Sequence, residues 1–255
     1  MPLGDSAPGL GDPALERSGA GPRRGMEDQD DDTGHRRSLP SGGPALSRRV
    51  RAYVGLGANL ADPDATLAAA VGALAALPGV RLAGVSRLYA TEPVGVADQP
   101  EFRNAAVALD VPAGPAPATG ALALLVALKR LERAFGRRDR ARWGPRELDL
   151  DLLVFGRARI RVARPAEARP VDPSKPVDLV VPHRLAGERL FVLAPLADLA
   201  PRLVPPGWHE TIASARRRRE AIEGPESVRP ISTWDGDRGV WQPIQPGGAG
   251  SPAGG

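Results

Sequence analysis

The chain contains no cysteine, which excludes disulfide bridges and thiolate metal sites. Aromatic residues make up only 4% of it. That is too few for the aromatic-bearing strands on which RNA-recognition modules stack bases. No run approaches the roughly 18 apolar residues of a membrane span. The opening Met-Pro-Leu-Gly-Asp-Ser has neither a basic n-region nor a sustained apolar core. The expectation is a cytoplasmic protein with no membrane association. A large charge excess is also missing: 34 Lys and Arg against 30 Asp and Glu leave a net charge of +4. So small a surplus does not by itself point to nucleic acid. There is no internal repeat.

What is present fits one medium domain with tails, for 255 residues of 42% hydrophobic content. Residues 1–49 are rich in Gly, Pro, Asp, Arg and Ser without apolar period and read as a disordered tail. Residues 240–255, ending in Gly, Ser, Pro and Ala, read as a second flexible tail. The working domain is therefore expected over 50–215, with 216–255 a mostly flexible C-terminal extension. Arg216–Arg219 fall in a terminal helix, as a solvated charged face.

Elements alternate within that domain. Val50–Leu56 reads as a strand leading into Gly55-Leu-Gly-Ala-Asn59, and Asp62-Pro63 as an N-cap followed by Pro at the first helical position. Leu67, Val71, Leu74 and Leu77 have helical spacing, stopped by Pro78-Gly79. Val80–Tyr89 reads as a strand, Thr91–Glu101 as a loop, and Phe102–Val111 as a strand. Pro115–Phe135 reads as a helix closed by Gly136, and Leu148–Phe155 as a strand. This β-α-β-β-α-β order predicts an α+β, ferredoxin-like core with both helices on one face of the sheet, plus an additional C-terminal hairpin and helix. Residues 157–178 read as an extended loop or loose hairpin, Val180–Pro182 as a short strand, and Leu190–Leu199 as a short helix broken near Pro195.

The chemistry concentrates in Gly136-Arg-Arg-Asp-Arg-Ala-Arg-Trp-Gly-Pro-Arg-Glu-Leu-Asp-Leu-Asp151. Asp149 and Asp151, two apart on a strand, share a face, while Leu148, Leu150 and Leu152 take the other. Carboxylates held this close repel unless a cation or proton lies between them. Mg²⁺ accepts one or two carboxylates and takes its other ligands from water and phosphate. Alone, the pair is either such a site or a solvated acidic edge. Arg137, Arg138, Arg140, Arg142 and Arg146 precede it immediately. Guanidinium groups clamp phosphate oxygens in bidentate fashion, so arginines beside a metal-binding pair suit a polyphosphate.

Arg142-Trp-Gly-Pro-Arg-Glu-Leu-Asp-Leu-Asp151 resembles the signature of the 6-hydroxymethyl-7,8-dihydropterin pyrophosphokinase family of the folate pathway. Further landmarks stand in the same order: Gly55-Leu-Gly-Ala-Asn-Leu60, Tyr89-Ala-Thr-Glu-Pro-Val94, Asp98-Gln-Pro-Glu-Phe-Arg-Asn104, Val181-Pro-His183 and Arg189-Leu-Phe191. The resemblance covers about residues 50–205. Ala58 stands where the family more often has Ser, and Arg184 where it commonly has Tyr or Pro; the connection 157–178 is longer than usual.

The resemblance implies ATP as donor with two Mg²⁺ ions, 6-hydroxymethyl-7,8-dihydropterin as acceptor, and a monomer. It implies metal ligation by Asp149 and Asp151, and triphosphate binding by Arg137 and Arg146. Arg142 and Trp143 would belong to a loop closing over both substrates, and His183 and Arg189 to the nucleotide side. Phe102 and Phe191 would sandwich the pterin ring, with Thr91, Val94 and Asn104 reading its polar edge. Without it, Phe102 reads as core, Asn104 as a strand-end residue and His183 as a surface or packing residue. Glu132 has three open readings: support of an arginine, action near the acceptor, or a helix-surface ion pair. A nucleic-acid-binding module shares the topology but leaves the paired acids unexplained.

Overall fold

The structure, a computed structural model, describes residues 48–92, 99–136, 146–170 and 177–244. All of them belong to the unit Pro44–Gly255. Strand β1 (Arg49–Ala58) alternates, with Ala52, Val54, Leu56 and Ala58 buried. Helix α1 (Pro63–Ala75) starts where sequence rules place it. The Asp62 side chain accepts the Ala65 N–H at 3.0 Å, and Pro63 takes the first turn, where its missing N–H is harmless. Leu67, Val71 and Leu74 form its buried stripe.

Two strands follow, β2 (Arg81–Val85) and β3 (Leu88–Thr91), in place of the single strand expected over Val80–Tyr89. The break has a local cause. Ser86 donates its N–H to Ala106 C=O at 2.9 Å and accepts the Ala106 N–H on its own Oγ at 2.8 Å. A side chain thus takes a ladder position that backbone would fill, and the chain bends there. Thr91, expected in the loop, closes β3 instead.

Strand β4 (Phe102–Pro112) leads to helix α2 (Pro117–Ala134), after which Gly136 takes φ +84°, the left-handed turn that closes helices. Strand β5 (Asp149–Phe155) follows. Strands β6 (Ile160–Ala163) and β7 (Asp178–Val181) make a small antiparallel sheet of their own, the hairpin version of the two alternatives for this segment. Helix α3 (Leu190–Leu199) runs through Pro195 without a break, contrary to expectation. Leu190, Leu193, Ala194, Leu196 and Ala197 are all buried, and burial of this much apolar surface outweighs the lost hydrogen bond.

The terminal helix expected at Arg216–Arg219 is present, but the residues that follow it are ordered into strands where a mostly flexible extension was expected. Helix α4 (Ile212–Glu223) is capped by Thr211, and strands β8 (Val228–Asp235) and β9 (Val240–Pro243) form a hairpin added to the main sheet. Trp241 explains the hairpin's place. It is buried in the main core and donates its indole N–H to Ser86 C=O at 2.9 Å. The α4 arginines are solvated ion pairs as expected: Arg216 with Glu220, Arg218 with Glu210 and Arg219 with Glu223.

Among the described residues the main sheet is seven-stranded and antiparallel, in the order β5-β1-β4-β3-β8-β9, with β2 also paired to β4. One face, carrying Val54, Leu56, Leu150 and Leu152, packs under α1 and α2. The other, carrying Leu153, Val154 and Tyr53, packs against α3 and α4. Among the described residues no helix is long and apolar enough to cross a membrane.

Candidate active site

Strand registry builds the site. Gly57 pairs with Asp149 on β5 and with Asn104 on β4, and Asn104 pairs in turn with Tyr89 on β3. Cross-strand partners project to the same face, so Asp149, Gly57, Asn104 and Tyr89 form one row across four strands. Gly55 pairs with Asp151 in the next row. These two glycines leave the floor between the carboxylates and Asn104 without side chains. A Cβ at Gly57 would sit 3.3 Å from the Asn104 Oδ1. At about 4.8 Å per strand, Asp149 and Asn104 are about 10 Å apart along the sheet.

Asp149 and Asp151 are both partly exposed, while Leu148, Leu150 and Leu152 are buried. The Arg146 guanidinium forms an ion pair with the Asp149 carboxylate. A cation thus balances one member of a repelling pair. Among the described residues no group of three or more His, Asp or Glu could hold a metal ion. Two partly exposed carboxylates on one face do fit Mg²⁺, which takes its remaining ligands from phosphate and water.

Asn59 fixes the approach to β5. It exchanges two hydrogen bonds with Arg146, N–H to Arg146 C=O at 3.1 Å and Oδ1 from Arg146 N–H at 2.7 Å. Its amide nitrogen donates to Pro100 C=O at 3.3 Å. One buried side chain therefore ties the start of β5 to the entry of β4.

His183 hangs on β5 through its N–H, which donates to Leu153 C=O at 2.8 Å. Its Nδ1 is buried and has no hydrogen-bond partner among the described residues, an arrangement that a bound ligand would complete. Burial holds its pKa below the ordinary imidazole range. Asp151 opposes that shift, Arg189 and Arg184 reinforce it, and Asp149 opposes it.

On the Asn104 side, the Asn104 amide donates to Thr91 Oγ1 at 2.8 Å, and both residues are buried. Phe102 pairs with Thr91 across β3 and β4 and is partly exposed. Phe191, in the first turn of α3, is partly exposed as well, and the Arg189 guanidinium lies 5.6 Å from its ring centre. Arg189, expected toward the nucleotide, thus touches an aromatic expected beside the pterin. Val94, Arg137, Arg142 and Trp143, with Arg138 and Arg140, lie outside the described residues.

Sequence reasoning placed Gly57 and Asn59 in a family landmark without giving them a role, and passed over Lys129. Glycines two apart in a strand, Gly55 and Gly57, are the signal of a bare face. An Asn directly after them is the signal of a side chain bonding across backbone. Of the three readings of Glu132 the ion pair is the one the described residues show, with Lys129 on the same helix, but it is buried and not at the surface. The Glu132 Oε1 accepts the Leu150 N–H at 2.7 Å and the Lys129 ammonium at 2.6 Å.

Among the described residues, an antiparallel sheet with helices on both faces defines a mixed α/β fold, with a carboxylate pair beside an arginine at the edge strand. Residues 53–201 match the 7,8-dihydro-6-hydroxymethylpterin-pyrophosphokinase (HPPK) family. The 2-amino-4-hydroxy-6-hydroxymethyldihydropteridine pyrophosphokinase of Pseudomonas aeruginosa is 45% identical over 160 residues, 62% of this chain and 86% of that protein. The enzyme of the same name from Methylorubrum extorquens is 43% identical over 166 residues, 65% of this chain and 91% of that protein. A solved structure, Plasmodium falciparum HPPK-DHPS wild type with pteroate, superposes with a TM-score of 0.57 at 14% identity, over 77% of this chain and 48% of that one. That likeness is one of fold, and the chain spans about half the length of that protein.

The chain belongs to the 7,8-dihydro-6-hydroxymethylpterin-pyrophosphokinase family. It is an enzyme, a pyrophosphokinase of folate biosynthesis, in a family that uses ATP as co-substrate and binds pterins.

Proposed function

We infer that the enzyme transfers the β,γ-diphosphoryl group of ATP to the hydroxymethyl oxygen of 6-hydroxymethyl-7,8-dihydropterin across the bare floor at Gly57. The observation that carries this reading is the row Asp149, Gly57, Asn104. It sets a cation-binding pair about two strand spacings from a buried amide, with nothing between them. The acceptor oxygen bonds to the β-phosphorus, the bond from that phosphorus to the α-phosphate oxygen breaks, AMP leaves carrying that oxygen, and the hydroxyl proton passes to solvent.

Asp149 and Asp151 would hold two Mg²⁺ ions, which when bound neutralise phosphate charge and acidify the acceptor hydroxyl. Arg146 lies within reach of the same oxygens and passes from Asp149 to phosphate as ATP arrives. Asn104, oriented by Thr91, presents its amide to the pterin's polar edge, and Phe102 and Phe191 supply its stacking faces. His183 offers its unpartnered Nδ1 to the nucleotide, with Arg189 alongside. Arg137, Arg142 and Trp143 keep their proposed roles around the triphosphate, and Val94 its role beside the pterin. The strand order β5-β1-β4-β3 with α1 and α2 on one face supports the ferredoxin-like reading of the core.

The test is to incubate the protein with ATP, Mg²⁺ and the hydroxymethyl-dihydropterin and separate the nucleotides. AMP without ADP supports diphosphoryl transfer. ADP would make the enzyme a simple kinase and overturn the reading.

A further inference from the structure

Strand β5 begins the order of the main sheet, so its outer edge has no strand partner among the described residues. Asp149 and Asp151 face Gly57 and Gly55 of β1. Leu150, between them, turns its N–H and C=O outward, where unpaired backbone groups are a liability. Both are taken by α2. The Glu132 Oε1 accepts the Leu150 N–H at 2.7 Å, and the Lys129 ammonium donates to the Leu150 C=O at 2.9 Å. Lys129 and Glu132 pair with each other at 2.6 Å, one turn apart, with side chains 16% and 3% exposed. Burying this charge pair is costly unless it is hydrogen-bonded, and the Leu150 backbone gives each member a partner.

We propose that Glu132 and Lys129 are positioning residues for the metal-binding carboxylates, fixing Leu150 so that Asp149 and Asp151 keep one spacing and one orientation. Neither touches a reacting group. They act through the single peptide segment that joins the two carboxylates. The pair replaces the missing neighbour strand with a carboxylate and an ammonium that together mimic a ladder partner. The site is thereby clamped from both sides, by β1 and by α2. This rests on the reading of Asp149 and Asp151 as Mg²⁺ ligands. Groups that orient metal ligands typically change metal affinity about 10- to 100-fold when removed.

The experiment measures Mn²⁺ binding by electron paramagnetic resonance, in the presence of α,β-methylene-ATP, for wild type, Glu132→Ala and Glu132→Gln. Amide hydrogen exchange at Leu150 is followed in the same proteins. Glu132→Ala is expected to weaken Mn²⁺ binding about 10- to 100-fold and to expose the Leu150 amide to exchange. Glu132→Gln keeps an acceptor oxygen and should rescue most of both effects. A folded Glu132→Ala that binds Mn²⁺ within about twofold of wild type overturns the proposal, since a merely structural role would lower thermal stability alone. If Glu132→Ala does not fold, Lys129→Ala carries the same comparison from the C=O side. A wild type that binds no Mn²⁺ beyond the nucleotide's own share overturns the metal reading, and this inference with it. Wild-type binding with unaffected variants overturns the inference alone.

Discussion

Asn59 and Arg146 exchange two hydrogen bonds, at 2.7 and 3.1 Å, between the end of β1 and the start of β5. The same buried Asn59 reaches Pro100 with its amide nitrogen. It therefore couples the strand bearing the carboxylates to the strand bearing Asn104. Asn59→Ala leaves a partly buried Arg146 N–H without its acceptor, which costs about 1 kcal/mol. The expected outcome is a lower unfolding midpoint in urea together with a kcat reduced about tenfold or more. A variant that loses stability but keeps kcat would make Asn59 structural only.

Gly57 makes a sharper case, because its role is to be absent. Its backbone is ordinary strand, so a side chain is tolerated conformationally and fails only for space. A Cβ there meets the Asn104 Oδ1 at 3.3 Å. Gly57→Val is expected to fold with thermal stability close to wild type and to raise the pterin KM about tenfold or more, because it fills the floor between Asp149 and Asn104. Steady-state kinetics with each substrate varied separately checks this.

The buried imidazole of His183 links stability to acid. Its folded pKa lies below the ordinary 6.5, chiefly through burial. Below about that pH the unfolded chain takes up a proton that the folded chain refuses, so folding expels a proton and stability falls as pH falls. The contribution is fully present above 6.5 and is lost progressively beneath it, with a slope of at most about 1.4 kcal/mol per pH unit. Urea midpoints at pH 7.5 and 5.5 should differ less in His183→Gln than in wild type. Equal differences would contradict the assignment.

The C-terminal hairpin lies beyond the residues 53–201 that match the family, yet Trp241 sits in the main core against Ser86. Trp241→Ala is expected to destabilise the fold by about 3 kcal/mol, measured by chemical denaturation. The change should leave the metal-side chemistry intact at low temperature.

Much of this was legible beforehand where one local rule governed. The Asp62-Pro63 start of α1, its stripe of Leu67, Val71 and Leu74, and the shared face of Asp149 and Asp151 each follow from a single periodicity or cap. Failures came where distant residues decide. Ser86 splits a strand because Ala106 lies opposite it. Pro195 is tolerated because α3 is buried among β3, β4 and α4. Trp234 and Trp241 stack edge to face at 4.7 Å only once the hairpin closes. The strands after α4 went unread because their pairing with β3 and with each other is made by residues distant in sequence. The site followed the same division. Motif order named Asp149, Asp151, Asn104 and His183, whereas Glu132, Lys129 and Asn59 gain meaning only from backbone groups of Leu150 and Arg146, which no side-chain pattern encodes.

The central claim is that Asp149 and Asp151 hold the Mg²⁺ through which ATP and the pterin hydroxyl are brought together. The direct test is the rate of Mg²⁺-dependent AMP formation from ATP and 6-hydroxymethyl-7,8-dihydropterin in wild type, Asp149→Asn and Asp151→Asn, with thermal melts run in parallel. Each substitution keeps the shape of the side chain and removes its charge. The expected result is a loss of at least about 1000-fold in kcat for both, with melting temperatures near wild type. Turnover within tenfold of wild type in either folded variant would contradict the account.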